Sequence, residues 1–146
     1  MSTSAQKVIN QEDPELTNVV HSEGAAQRKV LLVDEQAHIL RVIRMNLGRH
    51  GYEVDMALSV ENALCLIREN HYDVVIITSD LPDMSAKRLC EKLEHQLVNN
   101  RPLILVGARE DEETWLDSSE VAERLDVPVS LRWIVARLSE AFGDYN

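Results

Sequence analysis

The stretch Lys29-Val30-Leu31-Leu32-Val33-Asp34-Glu35 decides how the chain is read. Four apolar residues in a row, stopped by two acids, form the pattern of a parallel strand covered on both faces. Two more runs share that texture, Val74-Val75-Ile76-Ile77 and Leu103-Ile104-Leu105-Val106. Helical spacing fills the gaps between them. Ile39, Leu40, Ile43 and Leu47 repeat along one face, and the pattern stops at Gly48 or Gly51. Ser59 precedes a face of Val60, Ala63, Leu64 and Ile67, and Ser85 one of Leu89 and Leu93. Ser130 precedes Leu131, Ile134, Val135, Leu138 and Phe142. Each serine stands where a hydroxyl can cap the first turn. Tyr52–Ala57 alternates and reads as a strand nearer an edge. Glu110–Asp126 is less regular; it predicts a helix around Asp111–Asp117 and a short element around Val121–Val127.

Buried strands alternating with amphipathic helices predict an α/β fold with a parallel sheet covered on both sides. The expected form is a doubly wound five-stranded sheet of flavodoxin-like order 2-1-3-4-5. In that order strands 1 and 3 are neighbours at the topological switch point, where ligands bind beyond the strand ends. Asp34 and Glu35 end strand 1, and Thr78, Ser79 and Asp80 follow strand 3. Fold logic therefore brings an acid pair and an acid-containing loop together.

Fifteen Lys and Arg against 25 Asp and Glu give a net charge of −10, which argues against nucleic acid and anionic membrane as partners. No apolar run approaches the roughly 20 residues of a membrane span, and no secretion signal opens the chain. Cys65 and Cys90 form no CxxC or Cys/His pattern and read as reduced thiols, so the expected location is cytoplasmic. Residues 1–28 are polar and sustain no periodicity; they are expected to form a disordered arm. Residues 29–143 are expected to form the domain, with 144–146 as a tail.

Several of these segments together resemble the receiver domain of two-component response regulators. Lys29–Val33 with Asp34-Glu35-Gln36-Ala37-His38-Ile39 is similar to its opening, as is the helix leading to Gly51-Tyr52-Glu53-Val54. Asp73–Ile77 with Leu81-Pro82-Asp83-Met84 resembles its third strand and loop. Pro102–Arg109 resembles its fourth strand, and Pro128 with Ser130-Leu131-Arg132 the start of its last helix. The resemblance covers roughly Lys29 to Phe142.

The resemblance implies a phosphoryl-accepting aspartate four residues before the loop proline, and Thr78 stands there. A neutral hydroxyl does not replace a carboxylate nucleophile. The family's switch hydroxyl falls on Gly107, its lysine on Val127 and its switch aromatic on Arg124. No lysine follows Lys92, so no shift of alignment restores the cation that phosphoryl transfer uses. The acid pair alone survives. Asp34 and Glu35, with Asp80, are the expected ligands of a weakly held Mg²⁺, because that ion takes oxygen ligands and often one or two carboxylates. A phosphoryl group on Asp80 meets a geometric obstacle, since two residues along a strand move a carboxylate by ~6–7 Å.

Charge is uneven. Glu110–Asp126 holds eight acids and one base, Arg124, while the first helix carries Arg41, Arg44 and Arg49 with His38 and His50. Trp133 falls opposite the apolar side of the last helix, an outward aromatic in a chain with six aromatics. Trp133, Arg124 and Arg132 are the expected interface residues. By resemblance, the face of the fourth helix, fifth strand and fifth helix is where receivers dimerise or meet targets.

The leading expectation is a stand-alone degenerate receiver, a pseudo-receiver, acting in signalling by protein–protein contact and not as an enzyme. One alternative is a phosphorylatable receiver using Asp80, with Mg²⁺ on Asp34 and Glu35. Another is a small flavodoxin-like ligand-binding protein, against which stands the lack of a phosphate-cradling glycine loop after strand 1.

Overall fold

The computed structural model describes residues 27–78, 81, 84–97, 101–109 and 111–143 of the 146-residue chain. Five parallel strands are β1 (Lys29–Val33), β2 (Glu53–Ala57), β3 (Val74–Ile77), β4 (Leu103–Ala108) and β5 (Ala122–Asp126). Their order is β2-β1-β3-β4-β5. Four α-helices connect or follow them: α1 (Ala37–Arg49), α2 (Val60–Glu69), α3 (Ala86–Gln96) and α4 (Leu131–Phe142). The architecture is the doubly wound, flavodoxin-like sheet expected from the alternation.

The bare apolar runs are explained by two cores. Leu31, Val33, Val75, Ile77, Ile104 and Val106 point to one face, where α2 and α3 supply Ala63, Ile67, Leu89 and Leu93. Val30, Leu32, Val74, Ile76 and Leu105 point to the other, against Leu40, Ile43 and Leu47 of α1 and Ile134 and Leu138 of α4. Because side chains alternate along a strand and both sides are covered, every residue of β3 is buried. β2 lies at an edge, and its burial falls off accordingly.

The serine caps form as expected. Ser59, Ser85 and Ser130 accept hydrogen bonds from the N–H groups of Asn62, Arg88 and Trp133 at 3.1, 3.2 and 3.1 Å. The chain leaves α1 through Gly51, whose φ of +91° suits a residue without Cβ. Cys90 is buried on α3; burial, reinforced by Glu91 and Glu94, pushes its thiol up to about 12.

The segment between β4 and β5 corrects one expectation. In place of an α-helix around Asp111–Asp117 there is a 3-10 helix over Thr114–Ser118, entered through Glu113 at φ +50°. A left-handed residue interrupts a right-handed helix. The remaining turn sits where Leu116 is buried and Trp115 packs against the first core. The face expected from a fourth helix, fifth strand and fifth helix is thus built from this short turn, β5 and α4.

Candidate functional site at the carboxyl edge of the sheet

Val33 pairs with Ile77, so the residues that follow, Asp34 and Thr78, come side by side at the carboxyl edge of the sheet. Asp34 is 3% exposed and is the one buried charged residue among those described. A carboxylate removed from water needs donors. Thr78 Oγ1 donates to Asp34 Oδ2, and the Gln36 N–H donates to Oδ1 at 3.0 Å. Gln36 is the N-cap of α1 and its own side chain makes no cap bond, so Asp34 also places negative charge at that helix start, where the macrodipole favours it.

Gly107 completes the floor of the site. Val106 pairs with Ile77, which sets Gly107 beside Thr78. A Cβ at Gly107 would lie 2.8 Å from the Thr78 carbonyl oxygen and 3.2 Å from its carbon. The absent side chain therefore has a positive role, letting two backbones approach. Val127 follows β5 directly, and its bond to Pro128 is cis.

The structure thus brings Asp34, Thr78 and Gly107 together. Glu35 is exposed beside them, and Asp80 lies outside the described residues. Among the described residues no three His, Cys, Asp or Glu gather as a metal-holding group. Mg²⁺ demands near-octahedral oxygen ligation. Here one Asp34 oxygen accepts from a hydroxyl and the other from a backbone N–H. As they stand, the described residues do not form a cradle for that ion.

Arg124 has a role that sequence reasoning missed. Its guanidinium donates to the carbonyl of Arg109, to that of Glu112 at 2.6 Å and to that of Glu113 at 3.2 Å. It also meets Asp117 at 3.2 Å. Its side chain is 14% exposed, so it is tied to its own chain and is not presented as a docking cation. A five-donor fork suits this task as no aromatic could. Backbone carbonyls carry no sequence signature, which is why the clamp was not legible. Arg124→Ala should speed amide exchange from Arg109 to Asp117 while β1 and β3 stay protected; mass spectrometry of exchanged peptides checks this.

Trp133 is 38% exposed at the start of α4, and Arg132 beside it is also exposed. Arg137 binds Glu123 through two bonds of 2.8 and 2.6 Å, which fixes α4 against β5. Among the described residues no helix is long and apolar enough to cross a membrane.

Known proteins share this fold. The sequence profile of the response regulator receiver domain matches residues 30–123. The transcriptional regulatory protein KdpE of Mycobacterium tuberculosis is 37% identical over 97 residues, 66% of this chain and 39% of that protein. The transcriptional regulatory protein ResD of Bacillus subtilis is 26% identical over 114 residues, 77% of this chain and 47% of that protein. The chain thus spans less than half the length of these relatives. Among solved structures, the chemotaxis response regulator CheY4 of Vibrio cholerae superposes with a TM-score of 0.71 at 21% identity, covering 80% of this chain and all of that one. A two-component response regulator of Clostridium difficile gives 0.71 at 23% identity, covering 82% of this chain and 99% of that one. Receiver domains typically bind Mg²⁺ at their phosphorylation site. By its profile match and its fold, the chain belongs to the response regulator receiver domain family of two-component signal transduction.

Proposed function

We propose that this receiver signals through protein contacts and is not competent for standard aspartyl phosphorylation. The observation that carries this is the bond from Thr78 to Asp34. At the position that the resemblance gives to the phosphoacceptor stands a hydroxyl whose hydrogen is given to Asp34. It stabilises the buried carboxylate and offers no carboxylate of its own. Two further positions support the reading. Gly107 has no hydroxyl for a phosphoryl oxygen, and its backbone is too close to Thr78 to accept one without movement. Val127 brings no cation to the site. Each missing transition-state contact corresponds to a loss on the order of 10²–10³-fold. The domain is therefore a binding module and not a catalyst of its own phosphorylation. The Thr78 hydroxyl would compete with Mg²⁺ for Asp34, which supports weak binding of that ion on Asp34 and Glu35. Treatment with acetyl phosphate and Mg²⁺, followed by sizing, should leave the oligomeric state unchanged; a change of state would contradict the reading.

The docking face we propose runs from Trp133 over the acids around β5. Asp111, Glu112, Asp117, Glu120, Glu123 and Asp126 are all exposed there. A basic partner fits such a surface, as does a basic face of a second copy. Binding of the cognate partner should weaken with salt, because exposed charges are screened beyond ~8 Å at physiological ionic strength. Trp133→Ala should weaken it by about 2 kcal/mol, the scale of an aromatic hot spot. Calorimetry at two salt concentrations checks both; salt-independent affinity with a silent Trp133→Ala would place the contact elsewhere.

A further inference from the structure

The opposite side of α4 carries a second surface, of the other sign. α1 contains three arginines and no acid over its 13 residues, in a chain of net charge −10. Arg41, Arg44, Arg49, His38 and His50 are exposed along it. Arg41, Arg44 and Arg132 make no ion pair among the described residues, although acids are plentiful elsewhere. Val42 and Met45 stand among these cations at 55% and 57% exposure, the most exposed large apolar residues described. Beside them a groove of about 410 Å³ runs between α1 and α4, lined by Asn46, His50, Leu131, Arg132, Val135 and Ala136. The face is apolar and basic, and nothing among the described residues covers it.

We infer that residues 8–23 of this same chain occupy that face. The segment has complementary chemistry. Glu12, Asp13, Glu15 and Glu23 supply acid, and Val8, Ile9, Leu16, Val19 and Val20 supply apolar groups, with no lysine or arginine and one histidine, His21, among them. Its point of attachment is also right. The described chain begins at Gln27, and the Arg28 guanidinium lies 4.7 Å from the centroid of the Phe142 ring, so the chain enters the domain against α4 itself. Arg132 lies ten residues before Phe142, about 15 Å along the helix at 1.5 Å per residue. The eleven residues between Glu15 and Gln27 extend to roughly 36 Å, so the acids reach the groove with slack. A tether of that length keeps the segment at an effective concentration on the order of millimolar, enough for weak contacts to seat it. Seated there, it shields the basic face from acidic partners.

The test uses the full chain. Hydrogen exchange is followed in peptides covering 41–50 and 131–137, in the wild type and in the triple variant Glu12→Lys, Asp13→Lys, Glu15→Lys. Exchange in these peptides should rise roughly tenfold in the triple variant, the change expected if the segment is seated about nine-tenths of the time. Molar salt should do the same in the wild type, because screening then acts within ~3 Å. Peptides from β3 and β4 should not change. Adding Arg41→Glu, Arg44→Glu and Arg132→Glu to the triple variant should restore protection by exchanging the charges. Identical exchange in wild type and triple variant would overturn the inference. So would protection that grows with protein concentration alongside a doubled sedimenting mass, which would make a second copy the occupant.

Discussion

Gly107→Ser should lower stability by about 2 kcal/mol, even though serine would supply the hydroxyl that the resemblance to receivers leads one to expect at this position. The new Cβ would lie 2.8 Å from the Thr78 carbonyl oxygen, 3.2 Å from its carbon and 3.3 Å from its Cα. All three are backbone atoms of the residue that follows β3, so no rotamer change relieves the contact. Relief comes only by parting β3 and β4 at their carboxyl ends, where Ile77 pairs with Val106. Urea unfolding checks this: the midpoint should fall with an unchanged slope. An unchanged midpoint would mean that the two strands separate at no cost, and that Gly107 is not held by its neighbour.

Thr78→Val should cost about 2 kcal/mol for a different reason. The shape is nearly kept, but the hydroxyl that donates to Asp34 is lost. A carboxylate 3% exposed then gives up one of its donors, and hydrogen bonds to charged groups carry about 1.5–3 kcal/mol. Thr78→Asp should be worse in metal-free buffer, because it sets a second carboxylate against a buried one. Millimolar Mg²⁺ should recover part of that loss by entering between the two, whereas it should leave Thr78→Val unmoved. Thermal unfolding of both variants with and without Mg²⁺ checks the pair. Equal stability of wild type and Thr78→Val would remove the hydrogen bond from the account.

The fold was legible because its main signal is coarse. Val30–Val33 and Val74–Ile77 could be bare apolar runs only if both faces of the sheet were covered, and the two cores divide those residues alternately. The meeting of Asp34 with Thr78 was legible for the same reason, since strand order alone makes β1 and β3 neighbours. What sequence could not supply were contacts with no side-chain signature. The 3-10 turn at Thr114–Ser118 is held by Arg124 reaching back 15, 12 and 11 residues to carbonyl oxygens. The acids around Asp111–Asp117 suggested a solvated helix, but a left-handed Glu113 ended that possibility. Gly107 was read as a missing hydroxyl; its closeness to Thr78 is a property of backbone spacing and emerges only in three dimensions. Arg124 likewise read as an interface residue, whereas its guanidinium is bound to carbonyl oxygens of its own chain.

The central claim is that the site has given up aspartyl phosphorylation, and mass spectrometry of the intact protein tests it most directly. The protein is incubated with acetyl phosphate and Mg²⁺ and examined before and after hydroxylamine, which cleaves acyl phosphates. The account predicts a single species of unchanged mass, in the wild type and in Asp80→Asn alike. A stoichiometric phosphoryl adduct on the wild type, removed by hydroxylamine and absent from Asp80→Asn, would contradict it and make Asp80 the phosphoacceptor of a working receiver.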